Sequence, residues 1–285
     1  MYEEFYSLRE KPFALVADPS YLYMSEGHER AMALLQYSLL SGQGFSVLTG
    51  EIGAGKTTIV NYLLEQLDED TTVGVLSFTN SVSAQLIEWI SMIFDLEYEG
   101  KSEVQLYEQF LEYLVQQYAA GKKTLLIIDE AQNMRISGLE KVRMLSNVNA
   151  SKDYLLHMIL VGQPELRSLL AQRQLKQLLQ RVSVSYHLDS LSHVETKRYI
   201  AHRVGVAGRE ATLFNDQAIA LIAGASRGVP RLINSLCDLA LVYGYSARKR
   251  IIDAEITQAV LQDREKMGLS APKQGPAYLR SSHAG

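Results

Sequence analysis

A chain of 285 residues, 47% of them hydrophobic, can bury a sizeable core as one large or two modest domains. Its formal net charge of −4 argues against a chain-wide polyanion partner, while a local basic patch stays open. The one cysteine, Cys237, excludes an internal disulfide. Its apolar setting, LINSLCDLAL, fits a core filler in a reducing, cytoplasmic compartment better than a nucleophile.

The opening MYEEFYSLRE carries early glutamates and no basic-then-apolar pattern, so it does not read as a secretory signal. Residues 1–24 are aromatic-rich and irregular, broken by Pro12 and Pro19. Helical spacing predicts a helix over 26–40, and FSVLT (45–49) a short strand that runs into a glycine-rich loop. A helix follows from Lys56 to about Leu67, then a buried strand, TVGVLSF (72–78). SAQLIEWISMIF and VQLYEQFLEYLVQQY read as two helices, TLLIIDE (124–130) as a strand and LEKVRMLSNV as a helix. YLLHMILVG (154–162) is the next strand, and after short helices VSVSYHL (182–188) is the last. Beyond Ser192 only helical patterns remain, roughly over 192–204, 215–225, 230–244 and 253–264.

Strands alternating with helices imply an α/β fold with a parallel sheet covered on both faces, followed by a small all-α lid. The expected division is a core with its N-terminal aromatic segment over 1–190, a helical lid over 191–266 and a tail over 267–285. Small, proline and polar residues predict disorder in that tail. No internal repeat is found, and no stretch reaches 18 uninterrupted apolar residues; LINSLCDLALVYGY is broken by Asn234 and Asp238.

The stretch GEIGAGKTT comprises Gly50, Glu51, Ile52, Gly53, Ala54, Gly55, Lys56, Thr57 and Thr58 and fits G-x-x-x-x-G-K-[ST]. Glycines let the backbone turn tightly with N–H groups facing phosphate oxygens, and the helix that starts there adds its positive end. Lys56 should reach the β- and γ-phosphates of a nucleotide, and the Thr57 hydroxyl should ligate Mg²⁺. LLIIDEAQ then ends an apolar strand in two acids. Asp129 would serve the metal and Glu130 would act as general base on the attacking water. In GQPEL (162–166), Gln163 is placed to touch the γ-phosphate or to orient the attacking water, just before Pro164 at a helix start. Arg181, before the last strand, and Arg231, at the start of a lid helix in GVPRLINSL, are candidate cations for the developing phosphate charge. Arg173 reads better as a solvated helix charge.

This order of motifs resembles an AAA+ ATPase. More narrowly, MYEEFYSLREKPFALVADPSYLYMSEGHERA, GEIGAGKTT, LLIIDEAQNM, LVGQPEL, LLQRVSVSYHL, AHRVGVAG and GVPRLINSLCDLAL resemble the ExeA/GspA-type secretion ATPases over about residues 1–265. The chain looks especially close to their soluble relatives in exopolysaccharide export and exosortase (PEP-CTERM) systems. The resemblance implies ATP as the nucleotide, with Mg²⁺, and a homo-oligomer, a ring or a nucleotide-dependent dimer. It also implies Gln163 as sensor 1, Arg181 as an arginine finger in trans, Arg231 as sensor 2, and the N-terminal aromatic segment and SEGHERA flanking the adenine. General-secretion members continue into a transmembrane helix and a peptidoglycan-binding domain, which this sequence lacks. A cytoplasmic role on a membrane-embedded export component is therefore expected.

Two other readings compete. A DNA-directed regulator of the transposition or initiator type would need a basic stripe. SARKRI (246–251) is the one notable basic run and reads better as a solvated turn between helices. Glu130 and an arginine-finger candidate argue against an ATP-gated scaffold, with slow hydrolysis used as a timer left open. No guanine-reading N/T-K-x-D motif supports GTP in place of ATP.

Overall fold

The computed structural model describes residues 1–15, 18–42, 44–77, 85–150 and 153–268. The chain divides into two compact units, one of Ala17–Ser190 and one of Met1–Val16 with Leu191–Gly285. Most of the expected tail, from 269 on, lies outside the described residues, as do the end of the TVGVLSF strand and the start of SAQLIEWISMIF.

In the first unit, α1 (Glu26–Leu40) leads to β1 (Phe45–Gly50), α2 (Lys56–Glu65), β2 (Thr71–Ser77), α3 (Leu86–Ile93), α4 (Glu103–Ala119) and β3 (Lys123–Asp129). Then come α5 (Ile136–Leu145), the two-residue strands β4 (Asn149–Ala150) and β5 (Asp153–Tyr154), β6 (His157–Gly162), α6 (Pro164–Leu170), α7 (Lys176–Leu179) and β7 (Val184–Leu188). The main sheet has the order β2-β3-β6-β1-β7, and every neighbouring pair is parallel. Its inner strands are apolar on both faces because both are covered. Val47, Leu126, Ile128, Met158 and Leu160 face one core with α3, α4 and α5. Leu48, Leu125, Ile127, Ile159 and Val161 face the other with α1 and α2, as the alternation of strand side chains requires.

Local chemistry sets the helix starts. The Ser25 hydroxyl caps α1 by accepting the His28 N–H, and Ser102 with Gln105 closes a capping box on α4. Pro164 occupies the first turn of α6, where its missing N–H costs nothing. The sequence-based expectation was wrong between 146 and 156. Helix α5 ends at Leu145, and an antiparallel pairing of Asn149 with Tyr154 and Ala150 with Asp153 precedes β6. An amphipathic spacing that runs on into Val148 conceals this turn, whose ends are tied by the Leu155 N–H donating to the Val148 carbonyl at 3.1 Å.

The second unit holds α8 (His193–Val206), α9 (Asp216–Ser226), α10 (Pro230–Ser246) and α11 (Ala254–Lys266). The N-terminal aromatic segment belongs here, which corrects its expected grouping with the sheet. Buried Tyr6 donates to the Leu241 and Lys249 carbonyls, at 3.2 and 3.1 Å. Tyr2 donates to Asp238, and Phe13 meets Phe214 edge to face at 5.8 Å. Arg203 is only 7% exposed; it donates to the Pro12 carbonyl at 2.5 Å and to the Tyr199 hydroxyl at 3.0 Å. The segment closes turns of its own, with the Tyr6 N–H donating to the Tyr2 carbonyl and the Leu8 N–H to the Glu3 carbonyl, and its aromatic side chains take their partners from the helices. Cys237 is fully buried, and burial pushes its thiol well above the usual value, in keeping with a core filler. Among the described residues, no helix is long and apolar enough to cross a membrane.

Candidate functional site

The glycine-rich loop joins β1 to α2 at the carboxyl edge of the sheet. Gly53 (φ 80°) and Gly55 (φ 107°) adopt the left-handed conformation that lets the chain fold around an anion. Gly55 is required twice over, because a Cβ there would lie 2.5 Å from His28 Nε2. His28 is buried, and its Nδ1 pairs with Ser25 Oγ at 2.6 Å, so the first turn of α1 is packed against the loop. Lys56 is 7% exposed, and its Nζ donates to the carbonyls of Gly50 (2.7 Å) and Glu51 (3.0 Å). Burial holds its ammonium below the ordinary lysine value, while the charges of Glu130 and Asp129 pull the other way. Glu51, Ile52 and Thr57 are exposed, Ala54 is buried, and Thr58 is half-buried in the first turn of α2.

Strand β3 delivers the two acids beside this loop. Burial raises Asp129 above the usual carboxylate value and the neighbouring Glu130 charge adds to it, while the Glu130 backbone N–H, 2.8 Å from Oδ1, opposes. Glu130 sits in the left-handed region (φ 53°, ψ 35°), a conformation costing a non-glycine residue about 1–2 kcal/mol and typical of functional positions. At the end of β6, Gln163 Nε2 donates to Glu130 Oε2 at 3.0 Å. The base and the sensing residue expected from separate motifs are thus in direct contact. Gln132, which the sequence reading passed over, joins both: its Nε2 donates to Glu130 Oε2 and its Oε1 accepts the Gln163 backbone N–H at 3.0 Å. The only signal for it was its place in LLIIDEAQ, two residues after Glu130.

The donor set fits Mg²⁺ held jointly with a nucleotide. Asp129, half-buried and raised first by burial and then by the Glu130 charge, favours a nearby cation, and its oxygen with the Thr57 hydroxyl are hard ligands of the type Mg²⁺ takes. Among the described residues no group of three or more His, Cys, Asp or Glu could cage a metal. The remaining positions are those that phosphate oxygens and water fill.

Arg181 lies elsewhere on the sheet. The Ser183 N–H donates to the Phe45 carbonyl at the start of β1, whereas Leu188 pairs with Gly50 at its end. Arg181 therefore sits at the amino edge of the sheet, roughly 16 Å of strand from the loop at the carboxyl edge. It is exposed, with Nη1 3.5 Å from the Ser146 carbonyl. Arg173, also exposed, lies in a short turn before α7. Arg231 is exposed in the first turn of α10, in the helical unit. The basic run SARKRI is engaged within that unit: Lys249 pairs with Asp253 (2.8 Å) and Glu255 (2.6 Å), and Arg250 lies 4.2 Å over the Phe5 ring.

Residues 38–170, from the end of α1 through α6, match the family model described as an AAA domain. Over those residues, a little under half of the chain, the sequence is similar to AAA domains. Over 264 residues the chain is 38% identical to the General secretion pathway protein A of Aeromonas hydrophila, covering 92% of the chain and 48% of that protein. The chain thus spans about half the length of this curated relative. In fold, the chain is similar to the Cdc6p of Pyrobaculum aerophilum (TM-score 0.68, 16% identity, 87% of this chain and 71% of that one). It also resembles the ORC2 protein of Aeropyrum pernix (TM-score 0.65, 16% identity, 93% and 73%). The RuvB Holliday junction branch migration motor of Thermotoga maritima is a third fold neighbour (TM-score 0.55, 19% identity, 84% and 69%). These likenesses agree with the parallel P-loop sheet followed by helices expected from the sequence.

Proposed function

We propose that this ATPase assembles or energises a bacterial envelope export system, for secretion or for exopolysaccharide, by cycles of ATP binding and hydrolysis in a homo-oligomer. The observation that carries the export role is the 38% identity to General secretion pathway protein A across nearly the whole chain. Within the exporters, we favour the exopolysaccharide and exosortase branch and a location on the cytoplasmic side of the inner membrane, against a membrane-embedded partner.

In the proposed chemistry, the loop from Gly50 to Thr58 holds the phosphates and Lys56 binds the β- and γ-oxygens. Thr57 and Asp129 would hold Mg²⁺, which supplies charge neutralisation on the phosphate oxygens. Glu130 orients the attacking water and takes its proton, and Gln163 reads the γ-phosphate. Arg181 stabilises the developing charge from a neighbouring copy, because its place at the far edge of the sheet keeps it from its own loop. Arg231 is proposed as the second cation.

The test is ATP hydrolysis against protein concentration, with and without generic duplex DNA. Specific activity should rise with concentration and ignore DNA. Strong stimulation by DNA would replace the export reading with a DNA-directed one, and concentration-independent activity would remove the arginine in trans.

A further inference from the structure

Gln132 ends the motif LLIIDEAQ without a role assigned to it from the sequence, yet its amide closes a ring of hydrogen bonds at the centre of the site. It stands in the short turn Ala131–Asn133 that follows Glu130. Its Nε2 donates to Glu130 Oε2, its Oε1 accepts the backbone N–H of Gln163 at 3.0 Å, and Gln163 Nε2 donates to the same Glu130 Oε2 at 3.0 Å. The ring joins the ends of β3 and β6, the two strands that carry the acids and the sensing residue. The orientation of the Gln132 amide is fixed by its partners. Turned over, it would set its carbonyl against a carboxylate and its NH₂ against an N–H. Gly162 makes room for it, because a Cβ there would lie 2.8 Å from Gln132 Oε1.

We propose that Gln132 is a positioning residue for ATP hydrolysis, which couples Glu130 to Gln163 so that the two act as one body. This rests on Glu130 being the general base. Glu130 leaves the strand end in a left-handed conformation, which aims its side chain but does not fix its rotamer. Two amide donors anchor Oε2, and among the described residues Oε1 takes no hydrogen bond. A base that orients water needs this arrangement, with one oxygen held and the other presented. Gln132 also holds the backbone of Gln163, so a shift of that residue against the γ-phosphate is transmitted to the carboxylate. A base displaced by about an ångström loses on the order of a hundredfold in rate, so a residue that never touches ATP can govern turnover.

The test uses the full chain with Gln132→Ala, Gln132→Glu and Gln163→Ala, reading kcat, the ATP dissociation constant and the melting temperature. Gln132→Ala should lower kcat at least about tenfold and leave the dissociation constant within about twofold. Gln132→Glu keeps the length and the acceptor but sets a carboxylate against Glu130, so its kcat should fall at least as far. In a Gln163→Ala background the ring is already open, and Gln132→Ala should then cost clearly less than alone. The proposal is overturned if both Gln132 variants keep wild-type kcat, if the loss lies in ATP affinity or melting temperature alone, or if the cost is undiminished in Gln163→Ala. If Glu130→Gln turns ATP over at the wild-type rate, the base assignment falls and takes the proposal with it. If Glu130→Gln is dead while the Gln132 variants are normal, only the coupling falls.

Discussion

Glu130 combines three unusual circumstances: a left-handed backbone, an acid on its N-terminal side and two amide donors on one oxygen. Ser7, Asp95, Arg227 and Arg248 share the left-handed backbone, so what sets Glu130 apart is the pair of amide donors on one oxygen beside a second acid. Glu130→Gln keeps the amide ring's length but removes the base. We expect it to bind ATP like the wild type and to lose at least about a hundredfold in kcat, measured by steady-state hydrolysis beside equilibrium nucleotide binding. At this scale the sequence was informative where a motif sets residue type and spacing together. Lys56, Thr57, Asp129, Glu130 and Gln163 fall at one edge of the sheet as their motifs require. Gln132 was not legible because its role depends on the approach of β6 to β3, and adjacency of strands is not written in either strand. The same holds for His28, whose packing on Gly55 depends on where α1 lies.

At the scale of elements, strand and helix types followed from apolar runs and capping residues, and ends shifted by a few residues. The two failures differ in cause. The β4–β5 pair is hidden by an amphipathic spacing that runs past the end of α5, and the N-terminal segment is held by contacts distant in sequence, such as Tyr6 with Leu241 and Arg203 with Pro12, which no local pattern records. The segment makes its own prediction. Burial raises the Tyr6 phenol from 10.0 to about 12, and burial followed by the Asp238 hydrogen bond raises Tyr2 further. A folded value above the unfolded one means that the contribution of Tyr6 is complete below pH 10 and is lost as pH rises toward about 12. Alkaline unfolding of the helical unit, followed by circular dichroism against pH, should steepen in that window. Tyr6→Phe should flatten it at the expense of the two carbonyl contacts, whereas an unchanged pH profile in Tyr6→Phe would remove Tyr6 from the linkage.

At the scale of the whole molecule, the parallel sheet sets the logic of the site. Its carboxyl edge gathers the phosphate loop, both acids and the amide ring, while Arg181 stands at the amino edge. One chain therefore presents the proposed catalytic acids and the proposed finger on opposite edges of one sheet, and under the proposed mechanism a complete site takes two copies. The order of the strands carries this arrangement. It was legible only as far as alternating helices and strands imply a parallel sheet, and the sequence placed Arg181 before a strand without showing at which edge that strand begins.

The most direct test mixes two inactive variants. Arg181→Ala keeps an intact phosphate loop and base but offers no finger, and Glu130→Gln offers the finger but has no base. Each alone should hydrolyse ATP at no more than about a hundredth of the wild-type rate at equal protein concentration. Mixed, they should recover a substantial part of it, because the finger of one then completes the site of the other. A mixture as inactive as its components, or an Arg181→Ala protein active by itself, would contradict the account.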